Sequence, residues 1–160
     1  ELLIAIIIIG ILASITVVSY SGIQNRSRDT VRMGDMAKIQ DGLKLYIAEQ
    51  YQYPTPVSVN GDWETSNEDT PTDFLYPLAQ GQYVDKVPVD PSNTSLKHYA
   101  YYRYGAGSYG CDVNKGAYYV LAVKDMESSG RPHPKSPGWS CPSRDWHAEF
   151  DWVVGEFETP

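Results

Sequence analysis

Glu1-Leu2-Leu3-Ile4-Ala5-Ile6-Ile7-Ile8-Ile9-Gly10-Ile11-Leu12-Ala13-Ser14-Ile15-Thr16-Val17-Val18 opens the chain, and its reading decides the fold. Past Glu1 the run carries no charge, and Ser14 and Thr16 are its only polar side chains. At about 1.5 Å per residue, Leu2 to Val18 gives roughly 26 Å of helix, just short of a bilayer core. A signal peptide also has an apolar centre near its start. In the chain as given, no basic segment leads this run, it is long for such a centre, and no A-x-A site follows. The chain starts on a glutamate rather than Met, which reads as a fragment or a processed product.

Helical character continues past residue 19 with a different pattern. Ile23, Met36, Ile39, Leu43, Tyr46 and Ile47 fall on one apolar stripe of a 3.6-residue period. The other positions are charged or polar, with Arg28, Arg32, Lys38 and Lys44 interspersed with Asp29, Asp35 and Asp41. No proline interrupts residues 1–53, and Pro54 supplies the stop. A helix of about 50 residues is roughly 75 Å long, more than the remaining chain can cover. The apolar half must therefore lie in lipid or against copies of itself, and a plain single-pass anchor is the bland alternative. Gly10, Gly22, Gly34 and Gly42 each weaken the helix by about 1 kcal/mol relative to Ala, and permit bending or close packing.

The rest of the chain has a different character. Of 160 residues, 13 are Lys or Arg and 20 are Asp or Glu, a formal charge of −7. Residues 1–52 are neutral, so residues 53–160 carry the whole imbalance. That argues against a long cationic groove for phosphates. Two cysteines exclude a zinc ribbon or a disulfide-dense miniprotein, and 13 tyrosines with the β-branched content exclude disorder throughout.

The stretch Glu1 to Ala13 resembles the class III signal region of type IV pilins and type II secretion pseudopilins. In that family the glutamate follows a short Phe-Thr-Leu-Ile-like stretch, absent from this chain. A glutamate heading such an oily run is costly in a membrane and rare elsewhere. The resemblance continues through Val17-Val18-Ser19-Tyr20, Tyr53-Pro54, and Tyr83 followed by Val87-Pro88-Val89-Asp90-Pro91. Many relatives carry a proline where this chain has Val18, so local unwinding of the helix would rest on Gly10 or Gly22. The resemblance implies a precursor held in the cytoplasmic membrane, a prepilin peptidase, and an inner-membrane assembly machine. The product is a helical filament of identical subunits with oily helices inside and acidic heads outside. It also implies a role for Glu1: pairing with the N-terminal amine of a neighbouring subunit during assembly.

The expected fold class is α+β, a long N-terminal helix packed by its second half on a small antiparallel sheet. Residues 1–53 form the helix, with 1–24 for membrane or filament core and 25–53 for the head. Residues 54–160 form the head. Thr70-Pro71-Thr72-Asp73 has a helix-start signature, and Pro77 limits that helix to a turn or two. Strands are expected at His98–Tyr104, Ala117–Val123 and Phe150–Phe157, the last with Phe150, Trp152 and Val154 on one face. In an exported head Cys111 and Cys141 are expected to pair, two free thiols being the alternative. Tyr99, Tyr101, Tyr102 and Tyr104 populate both faces of one strand, one packed on the helix and the other covered by the C-terminal segment.

No catalytic constellation emerges, and no enzyme activity or cofactor is expected. Gly105-Ala106-Gly107-Ser108-Tyr109-Gly110 has G-x-G-x-x-G spacing, yet Cys111 and Asp112 follow where a nucleotide site needs a helix, so it reads as a hairpin loop. His147 and Glu149 have the H-x-E spacing of zinc deaminases without a P-C-x-x-C partner, and His98 and His133 stand alone. Asp85, Asp90, Asp112 and Asp125 are the available oxygen ligands for calcium, but no dense D-x-D-x-D spacing supports it, and no metal ligand set is assigned. The leading reading is the major subunit of an extracellular type IV pilus, serving adhesion, motility or DNA uptake. The alternatives are a major pseudopilin of a type II secretion system and a monomeric anchored binding protein. Contact with nucleic acid is left open.

Overall fold

The computed structural model describes residues 2–57, 62–68 and 74–159, and of residues 15–19 the backbone only. Helix α1 spans Leu2–Gln50 without a break. It ends where Tyr51 turns left-handed (φ 58°) while still donating its N–H to the Ile47 carbonyl at 2.9 Å. Pro54 then prevents any resumption. Helix α2 is short, Tyr76–Gln80. The strands in chain order are β1 (Glu64–Thr65), β2 (Tyr99–Tyr104), β3 (Tyr118–Val123), β4 (Ser140–Cys141), β5 (Arg144–Asp145) and β6 (Trp152–Phe157).

A four-stranded antiparallel sheet takes the order β1-β2-β3-β6, and β4 pairs with β5 in a small second ribbon. In the main sheet Tyr101 stands opposite Leu121, and Leu121 opposite Val154. The two-residue alternation of strands then sorts the aromatic residues. Tyr99, Tyr101, Tyr119, Leu121, Val123, Trp152 and Val154 meet Met36, Ile39 and Leu43 of α1 in one core. Ala100, Tyr104, Tyr118, Val120, Ala122 and Val153 meet Trp146, Phe150 and Cys141 in a second core on the opposite face. The expected division of the tyrosines between helix and C-terminal segment is what the sheet displays. Met36, Ile39 and Leu43 are fully enclosed, each contributing about 1.5–3 kcal/mol by burial.

At Gly42 α1 lies close against the head: a Cβ there would stand 2.8 Å from Val84 Cγ1. Gly10, Gly22 and Gly34 have open space around them, so close packing within the subunit explains only Gly42.

Several expectations are corrected. Ile23 is exposed, because the head does not reach that far along α1. Pro77 sits in the first turn of α2 and starts the helix rather than stopping it, since a first-turn N–H has no helical acceptor to lose. The helix-start signature on residues 70–73 lies outside the described residues. Phe150 packs in the second core with Trp63, not beside Trp152. A 3₁₀ turn at Trp146–Ala148 precedes it, so the strand period begins only at Trp152.

Candidate functional site

The first part of α1 leaves the head behind. From Leu2 to Leu12 its large apolar side chains are bare, from 51% exposure at Ile8 to 81% at Leu2. They lie all round the helix, so no single flat partner covers them. Ser14, a polar intrusion, turns back to the Ile11 carbonyl at 2.7 Å and presents no free hydroxyl donor outward. Such a surface is far larger than the scattered apolar residues of a soluble monomer and calls for covering by other molecules. Among the described residues no helix is long and apolar enough to cross a membrane. Glu1, the expected assembly residue, lies outside the described residues.

Beside the apolar core, a buried ionic joint ties this helix to its head. Arg32 is fully buried, and Asp29 and Asp35 nearly so. Arg32 donates Nε to Asp90 Oδ2 at 2.7 Å, Nη2 to Asp90 Oδ1 at 3.0 Å, and Nη1 to Asp29 Oδ1 at 2.8 Å. Asp29 in turn accepts the amides of Glu127 (2.8 Å) and Ser128 (2.9 Å) and the Ser128 hydroxyl (2.5 Å). Asp90 also accepts the Ser92 amide at 2.7 Å and the Asn93 amide at 3.2 Å. Glu127 gathers Arg28 and Lys97, each at 3.0 Å. One turn further on, Asp35 accepts the Tyr99 hydroxyl at 2.8 Å. Helix, the 85–98 segment and the 124–129 segment thus meet on one guanidinium.

The joint shapes its own titration. Burial alone would raise the Asp29 carboxyl, but the bonds from Ser128, the Glu127 amide and Arg32 outweigh it and hold it below the usual range. Asp90 follows the same pattern, with Arg32 and the Ser92 amide overcoming burial. Asp35 goes the other way: burial pushes it up, and Tyr99 and Lys38 only partly oppose. A signal for these residues was present in the spacing. Asp29, Arg32, Met36, Ile39 and Leu43 recur at three and four residues, so the two charged groups sit on the inward stripe.

Cys111 and Cys141 are joined in a disulfide. It ties the loop after β2 to β4, beside Tyr118 and Trp146 of the second core. The Gly105–Gly110 stretch forms a turn with Gly107 (φ 77°) and Gly110 (φ 78°) left-handed and ends in a 3₁₀ turn, Ser108–Gly110, and a second 3₁₀ turn at Val113–Lys115 rather than an α-helix follows. It offers no helix N-terminus to a phosphate.

The remaining candidate residues are kept apart. His147 Nε2 lies 2.8 Å from Ser136 Oγ, while Glu149 is held by Arg144 at 2.7 Å. Of the acidic residues considered for calcium, Asp90 is taken by Arg32, Asp112 accepts the Asn114 amide at 2.9 Å, and Asp125 pairs with Arg131 at 3.3 Å. Among the described residues no group of three His, Cys, Asp or Glu side chains could hold a metal ion.

No protein-family model matches this chain. No solved structure matches it either. Among curated proteins it is similar to the type II secretion system core protein G of Escherichia coli (strain K12), with 30% identity over 95 residues. The relative is a secretion protein. The match takes in 57% of this chain and 61% of that relative, so the chain spans about three-fifths of the length of the protein it matches. The likeness supports the pilin and pseudopilin resemblance, and favours its secretion side over its pilus side.

Proposed function

We propose that the chain is a structural subunit of a type II secretion filament of the pseudopilin kind, built by lateral packing of its apolar helix. The observation that carries the reading is the bare helix from Leu2 to Leu12, continuous with the part of α1 that packs on the sheet of the head. The similarity to a secretion core protein supports it. The subunit divides by use. Residues 1–24 serve the membrane before assembly and the filament core afterwards, residues 25–53 carry the head, and residues 54–160 face outward. A prepilin peptidase and an inner-membrane assembly machine are the partners this implies, with a periplasmic filament as the product.

Glu1 has the specific role in this scheme. A carboxylate among apolar helices is expensive unless paired. Arg26 is the nearest base in the given sequence. We place its partner on a neighbouring subunit, whose N-terminal amine is the group the resemblance supplies. Such a pair penalises every axial register that leaves the charge alone. In cells that assemble the filament, Glu1→Leu should leave the precursor inserted and cleaved but nearly abolish fibres. Wild-type fibre numbers from that variant would contradict the assignment.

An extracellular type IV pilus is the second reading. The disulfide-closed segment over the outer sheet face favours it, since a surface-exposed fibre benefits from a covalently closed exterior. Long fibres on the cell surface, rather than short periplasmic ones, would select it.

A further inference from the structure

The sheet has an open edge beside a cleft, and the two share residues. In an antiparallel ladder only alternate residues direct N–H and C=O toward the neighbouring strand. Glu158 donates its amide to the Ala117 carbonyl at 2.8 Å, which turns Glu156 and Val154 toward β3 and leaves Val153, Gly155 and Phe157 facing away. Val153 is satisfied by the preceding segment: its amide reaches Ser136 Oγ at 2.9 Å, and its carbonyl accepts from Gly138 at 3.0 Å. That pairing ends at the single bridge between Gly138 and Val154. Beyond it, the Gly155 carbonyl and the amide and carbonyl of Phe157 meet no main-chain partner among the described residues.

The cleft, about 380 Å³, runs along this stretch. Ile47, Tyr53, Trp139 and Phe157 give it apolar and aromatic walls, and Glu156 and Lys115 lie at its margin. The charges there are unequal in their commitments. Glu158 is neutralised by Arg103 at 2.7 Å, and the Lys115 ammonium sits 5.3 Å over the Phe157 ring. Glu156 is exposed and forms no ion pair among the described residues.

We propose that this edge docks an extended peptide segment of another protein, one carrying a lysine or arginine opposite Glu156. Main-chain bonds to Gly155 and Phe157 supply the pairing, and the aromatic walls take the alternate side chains. A second copy of this chain is disfavoured by the same residue. Two β6 edges pairing antiparallel about Glu156 would set like charges directly opposite. Glu156 therefore acts against self-association and for a basic partner. This inference is independent of the filament reading.

The test uses the full chain in a neutral detergent and two acetylated, amidated peptides, Val-Lys-Val-Lys-Val and Val-Glu-Val-Glu-Val. Amide exchange at Phe157 is followed by NMR, with near-UV circular dichroism to show that each variant keeps its fold. The lysine peptide should slow exchange at Phe157 by about tenfold at saturation and the glutamate peptide should not. Glu156→Lys should reverse that preference. No protection with the lysine peptide at millimolar concentration overturns the proposal. So does equal protection by both peptides, or a Phe157 amide protected without peptide by concentration-dependent dimers.

Discussion

The Arg32 guanidinium closes on the Asp90 carboxylate with two parallel hydrogen bonds, at 2.7 Å and 3.0 Å, and neither side chain reaches solvent. This planar fork joins the long helix to a segment 58 residues away in sequence. A lysine could match its charge but not its geometry.

Removing that cation strands carboxylates that were buried because of it. Arg32→Met is expected to lower the unfolding free energy by about 3–5 kcal/mol, read from the denaturant midpoint. Arg32→Lys should lose less, since it keeps the charge but one donor replaces the fork. Equal stability of Arg32→Met and the parent would show that the joint is incidental.

Acid should loosen the same joint. Asp29 and Asp90 have folded values held below the ordinary range, so their stabilisation is present above the unfolded value, about 3.9, and is lost as pH falls through the folded value. Asp35 has the opposite sign: its raised value means that ionisation weakens the fold, a burden that acid relieves. Thermal midpoints measured between neutral pH and strong acid should fall on the acid side. Asp90→Asn should start lower and flatten that fall, whereas Asp35→Asn should keep it and lose nothing at neutral pH. An unchanged acid profile in Asp90→Asn would remove Asp90 from the account.

The long helix, its stop before Pro54 and the three principal strands were legible because each rests on local chemistry: periodicity, a missing amide, β-branched alternation; the cysteine pair was legible because an exported head with two cysteines leaves one pairing. The joint was not. A periodicity argument follows apolar residues and passes over charged ones, although the spacing of Asp29 and Arg32 with Met36, Ile39 and Leu43 pointed inward. Their partners Asp90 and Glu127 lie far along the chain, where no local pattern reports them. Glu64 escaped for the same reason, being buried to accept the Leu75 amide at 2.8 Å. The open edge of β6 was equally silent, since which main-chain groups go unpaired depends on where the 136–138 segment ends its pairing.

The disulfide closes a separation of 30 residues. Chain entropy alone assigns such a bridge roughly 3–4 kcal/mol. Cys111→Ser and Cys141→Ser should each cost about that much and should disturb the near-UV signal of the second core, where Tyr118 and Trp146 pack beside Cys141. The double variant should cost no more than either single one. Additive losses would mean that the two side chains stabilise the head independently of their bond.

The central claim of the proposed function is that bare residues 2–14 of one subunit are covered by those of others. Electron cryomicroscopy of filaments assembled from the full chain and purified from the cell envelope is the measurement that decides it. The account predicts a helical assembly with residues 2–14 packed around its axis and the sheet of the head on the outside. Fibres held together by head-to-head contacts, with that helix turned outward, would contradict it.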